Sequence, residues 1–105
     1  MNQQQALMKK IKKMQEEMVA TQQEIDNTIF YASSGGVVNV EVLGTKEIAA
    51  IKVSEEFTIE SHDDFEMLSD MIVAACQKAY KEIEKTTKER MQKYNDMLGG
   101  FGGLF

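Results

Sequence analysis

The sequence has 105 residues and contains no proline, no tryptophan, one histidine and one cysteine. Without proline, nothing but glycine strongly penalises a helix interior, so long helices are permitted wherever glycine is scarce. The single Cys76 excludes an internal disulfide and leaves no thiol spacing for a metal. It lies in the small-residue run Ala74-Ala75-Cys76, where a buried structural thiol is expected. No stretch approaches the roughly 18 consecutive apolar residues of a membrane span. The opening Met1-Asn2-Gln3-Gln4-Gln5 lacks the charged-then-apolar order of a secretory signal. A cytoplasmic protein with no membrane association is therefore expected.

Catalytic constellations are equally scarce. His62 falls in the first turn of a long helical pattern, and Asp63-Asp64 beside it suits a helix N-terminus electrostatically. A general acid and base at that place would lack the cleft that sets two carboxyls apart. Ser34-Gly35-Gly36 has no following Gly-Lys-Ser/Thr and reads as a turn rather than a phosphate loop. The expectation is a protein with no enzymatic activity, no cofactor, no metal and no small-molecule substrate.

What is present is a folded composition, 43% apolar and 28% charged. Residues 61–98 hold neither Gly nor Pro, and Phe65, Leu68, Ile72, Ala75, Ala79 and Ile83 recur by threes and fours along one face. This predicts a helix opened by Ser61 with Asp64 and closed at Gly99-Gly100. At about 1.5 Å per residue it would be on the order of 50 Å long, so part of it must project or pair with another helix. From Gln4 to Asp26, Leu7, Ile11, Met14, Met18 and Ile25 follow a heptad seam with Thr21 at the missing step.

Between the helices the period falls to two. Thr28 to Ala32, Val37 to Leu43 and Lys46 to Ser54 read as three strands. They are joined at Ser33 to Gly36 and by a two-residue turn at Gly44-Thr45, with Gly at the first central position. In the middle strand Val38, Val40 and Val42 alternate with Asn39 and Glu41, giving one dry face. The fold expected is α+β, a helix, a three-stranded antiparallel meander and a long helix, in one domain over 1–98 with a flexible Gly-rich tail over 99–105.

The net charge of −5 conceals an uneven distribution, +2 over residues 1–20, −7 over 21–64 and zero from 65 onward. If the two helices pair antiparallel, Lys9, Lys10, Lys12 and Lys13 come near Lys85, Lys88, Arg90 and Lys93, far from the acidic strands. Lys78, Lys81, Lys85 and Lys88 also form a stripe. Cations so gathered favour phosphate, because neutralising it releases counterions. Any one of these lysines on an ordinary solvated face would contribute only a few tenths of a kcal/mol through ion pairs. With few aromatics among them, contact with duplex phosphates is favoured over stacking on single strands.

The order of these pieces resembles the YbaB/EbfC family of bacterial nucleoid-associated proteins. The likeness rests on the Gln/Lys/Met-rich first helix from Met8 to Glu17 and on Ser34-Gly35-Gly36-Val37-Val38 before the turn at Gly44. It continues through Ile51-Lys52-Val53, the run from Glu66 to Ala75, and a Gly-rich tail ending in Phe105. The resemblance implies a tweezer-like homodimer with projecting helical arms that grip duplex DNA with low or variable sequence preference, in the nucleoid of a bacterial cytoplasm. A dimer body built from the sheet and from the helical residues Phe65, Leu68, Ile72, Ala75 and Ala79 is expected, with the small side chains of Ala74, Ala75 and Ala79 allowing close helix approach. Two helices flanking β-hairpins also describe prefoldin-like chaperone subunits, for which Met91, Met97 and Leu98 would serve as apolar tips. A purely structural scaffold would need neither the charge polarity nor the lysine stripe.

Overall fold

The computed structural model describes residues 2–100. Helix α1 runs Gln3–Asp26, strands β1, β2 and β3 run Ile29–Ser34, Val38–Leu43 and Ile48–Val53, and helix α2 runs His62–Gly100. The α+β order of helix, three-stranded antiparallel meander and long helix is as expected, with sheet order β1-β2-β3. The molecule is elongated, 74 × 22 × 15 Å.

Local signals account for the starts of the helices. Asn2 Oδ1 accepts from Gln5 N at 2.8 Å while Gln5 Oε1 accepts from Asn2 N, a capping box that starts α1. At α2, Asp64 Oδ2 accepts from the backbone N–H groups of Glu60 and Ser61. The C-terminal limit differs from expectation, since α2 continues through Gly99 and Gly100. Residues 101–105 of the anticipated tail lie outside the described residues.

The heptad reading of α1 holds. Ile11, Met14 and Ile25 are buried, and Leu7, Met18 and Thr21 are partly covered. In the sheet, Val38, Val40 and Val42 pair with Ser34, Ala32 and Phe30 and face α2, where Ala75, Ala79 and Ile83 meet them in one core. Side chains as short as alanine bring the helix axis close to the sheet. Ala75 and Ala79 have no exposed surface left. Their expected place in a dimer contact is therefore corrected, because packing within the single chain accounts for all of their burial.

A helix is about 10 Å across and strands are about 4.8 Å apart, so one helix covers about two strands. Here α2 lies over β1 and β2. Ile48, Ile51 and Val53, on the same sheet face in β3, remain 41–43% exposed. Phe65 of α2 is 55% exposed, and Leu68 and Ile72 are half-buried. Of the acidic connector, Phe57 is half-buried and Ile59 exposed.

The two turns follow different rules. Gly35 and Gly36 both have positive φ, and Val37 N donates to Ser34 O at 3.1 Å, the kind of turn only glycine adopts freely. Between β2 and β3 the two-residue turn gives way to a longer loop. Lys46 N donates to Leu43 O and Leu43 N to Glu47 O, and the left-handed residue is Lys46, at φ 74°. This is a type I turn followed by a left-handed bulge residue. Gly44 is needed for space instead, since a Cβ there would lie 1.8 Å from the Ile25 carbonyl oxygen. Its N–H donates to Thr28 O at 3.0 Å, fastening the loop to the end of α1. Gly44→Ala is expected to destabilise the fold by about 2–3 kcal/mol, since backbone cannot yield as a side chain can. Urea unfolding that shows a difference under about 0.5 kcal/mol would contradict this close approach.

Candidate nucleic-acid interface

The outer half of α1 and the C-terminal half of α2 form an arm that projects from the sheet. Thr21 Oγ1 and Tyr94 Oη are 3.3 Å apart, and Arg90 Nη2 donates to Glu24 Oε2 at 2.5 Å, so the helices run antiparallel. Thr21, the polar step in the heptad seam, thus has a partner in the buried Tyr94. Counting outward from this contact, Gly100 lies level with about Gln15. Lys9, Lys10, Lys12 and Lys13 are then roughly 12–18 Å farther out along α1 than Thr21, at 1.5 Å per residue.

This places the eight candidate cations along one arm without gathering them into one cluster. Lys9, Lys10, Lys12 and Lys13 fill little more than one helical turn, all exposed, and none of them makes an ion pair among the described residues. Lys85, Lys88, Arg90 and Lys93, also exposed, lie nearer the sheet, around the level of the last turns of α1. The expected convergence at one extremity is corrected accordingly: the register of Thr21 on Tyr94 and Glu24 on Arg90 sets Lys85 to Lys93 level with the end of α1 nearest the sheet, away from Lys9 to Lys13. Within the inner group, Lys88 borders a cleft shared with Gln22, Asp26, Lys46 and Glu84. Arg90 reaches Glu24, which helical spacing puts on the other flank of α1. Lys93 Nζ stands 4.9 Å from the centre of the Tyr94 ring.

Two lysines outside this set are engaged within the fold. Lys78 Nζ donates to Ser33 O at 3.1 Å, tying the first member of the α2 stripe to β1. Lys46 Nζ donates to Glu84 Oε1 at 2.8 Å and sits 5.8 Å from the Tyr80 ring. That hydrogen bond and the Lys46 charge, with a further contribution from Lys81, hold the Glu84 carboxyl below its ordinary pKa. Because folding lowers this value, the pair's small contribution is present at neutral pH and disappears on acidification through it. No local sequence pattern reveals either link, since both join residues more than thirty-five positions apart.

The remaining chemistry is sparse. His62 Nε2 lies 3.5 Å from Glu66, both exposed, and Cys76 is a half-buried free thiol. Among the described residues no group of three or more His, Cys, Asp or Glu is placed to hold a metal ion. No described helix is long and apolar enough to cross a membrane.

The family profile described as the YbaB/EbfC DNA-binding family matches residues 1–98. The chain belongs to that family. Among its YbaB/EbfC relatives, proteins named nucleoid-associated protein from Ruminiclostridium cellulolyticum and Agathobacter rectalis are 37% and 41% identical over 100 residues. Each alignment covers 94% of this chain and 85% of the relative. One from Clostridium acetobutylicum is 42% identical over 88 residues, covering 83% and 77% of the two chains. The crystal structure of an uncharacterized Helicobacter pylori protein shares the fold at TM-score 0.65 and 23% identity, covering 93% of this chain and 98% of that one.

In this YbaB/EbfC chain Thr21 and Tyr94 form a part-buried polar link between the two helices of the arm. Tyr94→Phe is expected to cost about 1 kcal/mol by leaving Thr21 without its partner. Amide hydrogen exchange should accelerate in α1 around Thr21 while β2 stays protected. Uniform exchange across both elements would show that arm and sheet open as one unit.

Proposed function

We propose that this protein is a homodimeric nucleoid-associated protein of the bacterial cytoplasm that binds duplex DNA, without catalysis, through basic helical arms. The observation that carries the reading is the group of Lys9, Lys10, Lys12 and Lys13, exposed and unpaired among the described residues, at the outer end of an arm in a chain of a DNA-binding family. Lys85, Lys88, Arg90 and Lys93 supply a second row of cations nearer the sheet. Contacts of this kind go to phosphate, which positions a protein on DNA without reading bases, so low sequence preference follows.

The homodimer gains support from the uncovered apolar strip of β3. Ile48, Ile51 and Val53, with Phe65, Leu68 and Ile72 of α2, form the proposed interface. Pairing two copies there would duplicate the arm and let a duplex lie between the two. Binding many sites weakly along a chromosome is a means of influencing its organisation and the expression of its genes.

Changing Lys9, Lys10, Lys12 and Lys13 together to Gln tests the arm. Binding to a mixed-sequence duplex should weaken at least about tenfold at low salt, and the slope of log affinity against log salt should flatten by about 0.9 for each phosphate no longer neutralised. The circular dichroism spectrum should stay unchanged, because all four side chains are exposed. Unchanged affinity would reject the arm as the DNA site, and salt-insensitive binding to unfolded polypeptides would favour a chaperone instead.

A further inference from the structure

We propose that Glu24 holds Arg90 in the place of a DNA phosphate and so restrains binding by the arm. The inference rests on the DNA-binding reading and concerns its regulation. Arg90 is the only arginine in the chain, against eleven lysines. Its guanidinium is the one cation here whose planar fork matches carboxylate and phosphate alike. It donates to Glu24 Oε2 at 2.5 Å, and the two side chains are 42% and 66% exposed. A phosphate could therefore reach the guanidinium without any unfolding.

Glu24 does not owe its position to the needs of its own helix. It stands in the last turn of α1, which contains no basic residue, and a carboxylate at a helix C-terminus opposes the macrodipole. Asp26 in the same turn is held by Gln22, whose Nε2 donates to its Oδ1 at 2.8 Å, whereas Glu24 reaches across to α2. An exposed ion pair is weak and exchanges readily, which suits a link that must yield to a ligand. Lys9, Lys10, Lys12 and Lys13 have no such partner among the described residues. The outer lysines are thus available at first encounter, while Arg90 joins only when phosphate displaces Glu24.

A double-mutant cycle tests this with the full chain and a short mixed-sequence duplex at several salt concentrations. Glu24→Gln should tighten binding about two- to fivefold per engaged arm and steepen the salt slope by about 0.9 per arm. In an Arg90→Gln background, Glu24→Gln should produce no comparable gain. An equal gain in both backgrounds would reduce the effect to general charge repulsion and overturn the proposal, as would no gain in either. The wild-type titration separates the two levels. Salt-dependent wild-type binding with no effect of Glu24→Gln rejects only the Glu24 restraint, whereas no binding by any variant rejects the DNA-binding reading with it.

Discussion

The close seating of α2 on β1 and β2 through Ala75 and Ala79 is the contact on which the other features depend. Alanine at both positions lets the helix approach until Val38, Val40 and Val42 are fully covered. A helix held that near covers only two strands. The third strand is left with a dry face and no cover, and the far half of α2 is carried beyond the sheet, where α1 accompanies it. The uncovered strip follows from this seating, and the projecting arm from the 39-residue length of α2 against strands of 6 residues.

The arm itself is thin. Beyond the sheet it consists of two helices joined along a narrow seam, with Thr21–Tyr94 and Glu24–Arg90 as polar links. A two-helix seam buries little apolar surface, so the pairing draws its stability from being anchored where Ile25 enters the sheet core. Gly44 makes that anchor possible by admitting the Ile25 carbonyl at a distance no side chain would tolerate. Lys9, Lys10, Lys12 and Lys13, at the outer end of such an arm, stand well away from the acidic strands. The proposed attraction of the outer lysines for DNA is therefore little opposed by the negative surplus of residues 21–64.

Much of this is legible in the sequence. The heptad seam identifies the buried face of α1, alternation identifies the dry face of β2, and the absence of Gly and Pro over 61–98 identifies the extent of α2 to within its last residues. What escapes a linear reading is three-dimensional register. Alanine at 75 and 79 signals close approach without saying to what, and the partner is the chain's own sheet rather than a second copy. Short connections dictate antiparallel helices but not their offset, which decides whether Lys9 to Lys13 meet Lys85 to Lys93. Gly44 marks a turn for a different physical reason than its φ, because a glycine required by a neighbouring carbonyl looks the same as one required by a left-handed backbone. The Glu24–Arg90 and Lys46–Glu84 pairs join charges that no local spacing connects.

In the proposed dimer the bare strip of β3 is closed by a second copy of the chain. Solution mass by light scattering, for the wild type and for Ile51→Asp, tests this most directly. Ile51 is 43% exposed in the single chain, so the substitution should leave the fold intact while placing an uncompensated charge at the proposed interface. The expected result is a wild-type dimer and a variant that is a folded monomer. A monomeric wild type, or a variant that stays dimeric, would contradict it.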